Sequence, residues 1–373
     1  MGSRAETEIQ SHRAPHFAPF IFWLNDLPAM YASPMFRIVI LFAALLQPQA
    51  RPTKVYDAPI NDAYRIRVEE SHVMKSPNVC CLSSVRILLV DRTNANRFWE
   101  IAAIQEAYEY RYAVQRADNA SVVIERTDFD YGIHYGSLKL FFDAPSKRLL
   151  KKIEFNPLEA MKSIATDDVR RLGLDPVIWD KIRNLNPDDA EVALPDALKE
   201  HPLPQSSYAE FARARPKRVL DGYDKKGTEI RESIAAYQVM NGRIWFGKSF
   251  YDGEGITGVG SLGYFDAAQN KFTMIRIPEV VDWSVSAILV EGPTLWAALQ
   301  RHPEGEDQSG GLLRYDMGTS KTRIYRVDDL ILGIYRHGAD LVIATINGIE
   351  ILHEDRIIRY RAEPAIDGKF AFF

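Results

Sequence analysis

A chain of 373 residues with 46% hydrophobic and 26% charged residues has enough apolar side chain to bury a sizeable core, which excludes a disordered chain. The formal charge of -4 supplies no broad basic field, which excludes sequence-independent nucleic-acid binding and a polybasic membrane patch. The two cysteines, Cys80 and Cys81, are adjacent, so neither a disulfide framework nor a zinc site of spaced CxxC pairs is available; two free thiols and a vicinal disulfide both fit.

Residues 1–50 read as a leader. Met35-Phe36-Arg37 precedes the apolar run Ile38 to Leu46, and Gln47-Pro48-Gln49-Ala50 follows. One charge ahead of a short apolar core resembles the n-region and h-region of a signal peptide, and the run is about half of the roughly 20 residues needed to span a bilayer. The expectation is export to the periplasm or beyond, with Met35 as an alternative start codon and no stable membrane span. A buried strand of a cytoplasmic protein is the competing reading.

Residues 51–155 alternate in the manner of half-buried strands: Tyr64 to Val68, Val85 to Val90 and Tyr108 to Val114. The segment Trp99 to Ala107 fits either a strand or a short helix rich in Ala, Glu and Gln. Val122 to Ile124, Gly136 to Leu140 and Leu149 to Phe155 then read as three more strands, with Asp143 to Lys147 turning between the last two.

Between 156 and 216 the period changes to about 3.6 and the spacing predicts a helical insertion. Asn156-Pro157, Asp175-Pro176 and Asn186-Pro187 each set an N-cap side chain before a proline at the first helical position, where the missing N–H is not needed. Ser207 with Glu210 matches a capping box. Ile178, Trp179 and Ile182 form an apolar stripe expected to pack on the β body.

From 217 to 373 the chain repeats itself. Gly310-Gly311-Leu312-Leu313-Arg314-Tyr315-Asp316 with Lys321 restates Gly260-Ser261-Leu262-Gly263-Tyr264-Phe265-Asp266 with Lys271. Arg243 to Phe246, Thr294 to Ala297 and Asp340 to Ile343 align as second strands, each after an inner strand and a turn such as Asn241-Gly242, Gly292-Pro293 or His337-Gly338-Ala339. Stacked four-stranded units leave this pattern, so the fold expected is an all-β-dominated β-propeller of four or five blades carrying an α-helical insertion. Trp245 and Trp296 hold equivalent positions and are expected between blades; Asp143, Asp266 and Asp316 are expected to bond to turn backbone.

The pattern Leu-Trp-Ala followed by Gly-Gly-Leu-x-x-Tyr-Asp over about 230–360 resembles the propeller repeats of streptogramin-lyase-like and two-component-regulator propeller proteins. The resemblance implies a blade fold and an exported or sensor-like setting, and it places no catalytic residue.

In such blades the loops joining second to third strands emerge on one face with the blade-to-blade loops. Here they are acidic. Asp252, Glu254, Glu304, Glu306 and Asp307 are candidate metal ligands, since hard cations such as Ca²⁺ or Mg²⁺ take carboxylate oxygens. Asp128, Asp130, His134, Asp282 with Trp283, His302, and Asp328 with Asp329 complete a candidate ligand face, with His134 or His302 as a candidate general base. The segment Gly258 to Gly263 matches GxGxxG, but it sits in a β repeat rather than opening a helix, so no dinucleotide site is expected. No P-loop, HExxH or GxSxG occurs. Two readings follow: an exported binding or interaction module for a peptide, glycan or partner protein, and a metal-assisted lyase or hydrolase on the acidic loop face.

Overall fold

Asp-led turns set the units of this fold. Asp143 accepts an N–H bond from Ser146, Asp266 from Ala268 and Gln269, and Asp316 from Thr319. Four residues after each Asp, a residue with positive φ closes the turn: Lys147 at 58°, Asn270 at 51° and Ser320 at 56°. The carboxylate satisfies the turn amides and the left-handed residue returns the chain antiparallel. Asn241 and Gly242, both with positive φ, make the tight turn between two earlier strands.

The computed structural model describes residues 54–76, 79–106, 110–128, 135–185, 192–207, 229–230, 232–251, 256–281, 283–301 and 308–373. Five antiparallel meanders of four strands each make up the β body. Blade 1 is β1 Lys54–Pro59, β2 Tyr64–Ser76, β3 Val79–Asp91 and β4 Phe98–Glu106; blade 2 is β5 Tyr110–Ala117, β6 Ser121–Asp128, β7 Tyr135–Asp143 and β8 Arg148–Phe155. Helices α1 Pro157–Lys162, α2 Thr166–Arg171, α3 Pro176–Arg183 and α4 Asp196–Lys199 follow, then the two-residue strands β9 Ser206–Ser207 and β10 Glu229–Ile230. Blade 3 is β11 Glu232–Met240, β12 Arg243–Tyr251, β13 Ile256–Asp266 and β14 Lys271–Ile275. Blade 4 is β15 Ser284–Glu291, β16 Thr294–Arg301, β17 Gln308–Asp316 and β18 Lys321–Tyr325. Blade 5 is β19 Ile331–His337, β20 Asp340–Thr345, β21 Gly348–His353 and β22 Arg356–Pro364, extended by β23 Phe370–Phe372. This is a β-propeller-type architecture of blades with a helical insertion, and five is the blade number of the described residues.

Trp99 to Glu106 is strand, not helix: pairing with β3 overrides the helix-favouring composition. Ser207 ends β9, paired with Glu229 of β10, and Glu210 of the expected capping box lies outside the described residues. Asn156 and Asp175 do cap helices, Asn156 accepting from the Leu158 and Glu159 amides and Asp175 from the Val177 amide. Asn186-Pro187, Cys80 and Cys81 as side chains, and the leader lie outside the described residues. The GxGxxG stretch is inside β13, where a Cβ on Gly260 would stand 1.7 Å from the Trp283 carbonyl oxygen, so glycine is needed there for close backbone approach.

Blades pack face to face through apolar side chains. Blades 3 and 4 share Trp245, Leu262, Val285, Leu299 and Leu313, while blades 4 and 5 share Trp296, Ala298, Leu312, Ile334 and Leu341. The far face of blade 5 takes the helices: Met161, Val169, Ile178, Trp179 and Ile182 pack on Val342, Ala344, Ile349 and Ile351. The far face of blade 3 takes Leu194, Leu198 and Leu203 against Ile244 and Phe265. Blades 1 and 2 form their own apolar pair, with Ile66, Val85, Ile87 and Leu89 against Val122, Ile124, Leu138 and Leu140.

Candidate functional site

Blade 2 uses its two faces for different purposes. On β6 and β7 the residues Val122, Ile124, Leu138 and Leu140 point into the apolar core, so Val123, Glu125, Ser137 and Lys139 point the other way. That second face meets the β22 end of blade 5, where Arg359, Arg361 and Glu363 alternate along one side of the strand and Glu350 of β21 stands opposite Arg359. A cleft of about 270 Å³ lies between them, with Arg116, Glu125, Ser137, Asn347, Arg361 and Glu363 in its walls. A β-bulge between Val114 and Arg116 breaks the alternation of β5, and both Gln115 and Arg116 reach the cleft.

The charges form a connected network. Glu363 Oε2 accepts from Lys139 Nζ at 3.0 Å and from Arg116 Nη1 at 3.2 Å; the Lys139 and Glu363 side chains are each 8% exposed. Arg361 pairs with Asp329, whose other oxygen accepts from Asn347 Nδ2 at 3.0 Å. Arg359 bridges Glu350 at 3.1 Å and Asp328 at 3.3 Å. Glu350 is fully buried, and burial above all, helped by Asp329 and opposed by Arg359 and Arg361, pushes its carboxyl up to about 7. Burial also raises the Glu125 carboxyl, with the Asp329 charge adding to it and Arg361 and a hydrogen bond from Gln115 opposing. The arrangement can receive groups of both signs in a partly desolvated space. No described histidine or cysteine lines it.

Asp328, in the segment between β18 and β19, accepts from Arg326 at 2.6 Å besides meeting Arg359, and so borders this network. Asp128 ends β6, with its backbone paired to Tyr110. Asp130, His134, Asp252, Glu254, Asp282, His302, Glu304, Glu306 and Asp307 lie outside the described residues. Among the described residues no group of three or more His, Cys, Asp and Glu side chains is placed to hold a metal. Nor is any described helix long and apolar enough to cross a membrane. Arg116, Glu125, Lys139, Asn347, Arg361 and Glu363 were invisible to motif reading. The one signal was charge at every second position, Arg359, Arg361 and Glu363, on a strand whose other side is Tyr360 and Ala362; a solvent-facing strand carries the same signature.

The sequence matches no known protein family and no characterised protein. Solved structures similar to the chain include the extracellular domain of BT4673, described as a putative one-component system, from B. thetaiotaomicron (12% identity, TM-score 0.26, 83% of this chain and 28% of that one). Others are the propeller domain of the Trilobed protease from Pyrococcus furiosus (9%, 0.23, 83% and 96%) and YjhT (9%, 0.23, 87% and 98%). The chain spans about a third or less of the BT4673 chains. The blade assignment stands on the five meanders themselves.

Proposed function

We propose that this chain is a binding module that holds a small polar ligand in the cleft between blades 2 and 5. The observation that supports this reading is the concentration of Arg116, Glu125, Asn347, Arg361 and Glu363 around one concave space, in a body whose blade 3–4 and 4–5 interfaces have apolar cores. Propeller units supply a rigid frame, and side chains fixed on strands hold polar groups more firmly than loops do. Export belongs to the same proposal and is supported by the charged residue and apolar run at Arg37 to Leu46. The metal-assisted lyase or hydrolase reading depends on acidic loops outside the described residues and has no described side chain to stand on.

A thermal-denaturation screen of monosaccharides, amino acids, carboxylates and polyamines, each at about 10 mM, tests the reading, because a ligand of the folded state raises the midpoint by mass action. At least one class is expected to stabilise the wild type and to lose that effect in Arg116→Ala, a substitution that leaves Glu363 paired with Lys139. A flat screen, or shifts that persist unchanged in Arg116→Ala, overturns it.

A further inference from the structure

Three of the four charges in the cleft wall stand in ion pairs and one does not. Arg361 is neutralised by Asp329, and Glu363 by Lys139 and Arg116. Glu125 has only the neutral Gln115 amide as a hydrogen-bond partner, and the charges acting on it are the repelling Asp329 and the already paired Arg361. Beside it in the wall stands Asn347, 4% exposed. Its Nδ2 is turned to Asp329, which only accepts, and its buried Oδ1 has no partner. A half-buried carboxylate short of a counter-charge and a buried amide oxygen short of a donor both call for a cationic N–H group. Arg116 presents the opposite chemistry: only Nη1 bonds to Glu363, the side chain is 47% exposed, and the planar guanidinium has further N–H groups suited to a carboxylate.

Resting on the binding reading above, we infer that the cleft takes a small zwitterion of amino-acid type, its ammonium group received by Glu125 and Asn347 Oδ1 and its carboxylate by Arg116. The formal charges of the wall, Arg116 and Arg361 against Glu125 and Glu363, cancel. A ligand carrying one charge of each sign therefore leaves the partly buried space neutral, whereas a simple amine or a simple acid would leave a net charge there. A space of about 270 Å³ fits a molecule of that size rather than a chain segment of a partner protein.

The test uses the full chain and the proteinogenic L-amino acids one by one, each beside its N-acetyl derivative and its carboxamide, with binding read by calorimetry and by the melting midpoint. At least one free amino acid is expected to bind. Its N-acetyl and carboxamide forms are expected to bind at least about 10-fold more weakly, and Glu125→Gln to weaken the parent by a similar factor. The inference is overturned if no free amino acid binds, if the N-acetyl form binds as well as its parent, or if a folded Glu125→Gln protein keeps full affinity. Should that variant fail to fold, the comparison of free and acetylated forms on the wild type decides. A monosaccharide or simple carboxylate that binds through Arg116 while every amino acid fails would keep the binding module and remove the zwitterion.

Discussion

The interface between blades 3 and 4 and the one between blades 2 and 5 are built from opposite materials. The first buries Trp245, Val285, Leu299 and Leu313, none more than 5% exposed, and each such side chain contributes on the order of 1.5–3 kcal/mol by leaving water. The second sets a buried lysine–glutamate pair, a fully buried glutamate and three partly exposed arginines around open space. Taking ions out of water costs about what their attraction returns, so this interface contributes little net stability. One holds the fold, and the other is kept polar at no gain to the fold, as the proposed binding role requires.

Four expected outcomes sharpen that contrast, the largest first. Trp245→Ala should cost about 4 kcal/mol in urea unfolding, since it empties the blade 3–4 interface and removes the ring packed 4.8 Å from Tyr264. Glu363→Leu should cost about 3 kcal/mol by stranding the buried Lys139 charge, and adding Lys139→Met should restore most of the loss. A Trp245-like deficit that no second substitution repairs would erase the distinction between the two interfaces.

The third outcome concerns pH. Because the folded Glu350 carboxyl is raised from an ordinary 4.5 to about 7, the folded state binds more protons than the unfolded one between those values. Its contribution is fully present below the lower value and is lost as pH rises through about 7. Unfolding free energy should fall by about 2 kcal/mol from pH 5 to pH 8, and the slope should flatten in Glu350→Gln. An unchanged slope in that variant would move the titration to another group. The smallest effect is at the turns: Asp316→Ala should cost about 1 kcal/mol through the lost bond to the Thr319 amide, with no change in the cleft.

Local chemistry made much of the fold legible. Asn241-Gly242 needs two left-handed residues, Asp266 and Asp316 need turn amides and a positive-φ residue four positions on, and the paired tryptophans need a neighbouring blade; each requirement is written within a few residues. The strand at Phe98–Glu106 was ambiguous because its Ala, Glu and Gln favour helix in isolation, while the β3 edge that decides it lies elsewhere in the chain. The cleft was not legible at all. Lys139 and Glu363 meet across 224 positions, and either residue in its own strand looks like an ordinary solvent-facing charge. The helical stripe Ile178, Trp179 and Ile182 could be read because its periodicity alone requires a cover, and blade 5 supplies it.

A double-mutant cycle on Lys139 and Glu363, with unfolding free energy and ligand-induced midpoint shift recorded for every member, addresses the central contrast most directly. If the cleft is polar for binding, the Lys139→Met/Glu363→Leu protein will be within about 1 kcal/mol of the wild type or above it. It will also lose the wild-type response to the small-molecule screen, because Arg116 no longer has Glu363 to hold it. A double variant as unstable as Glu363→Leu alone, still responding to the same ligand as strongly as the wild type, would mean that these ion pairs hold the fold and that binding lies elsewhere.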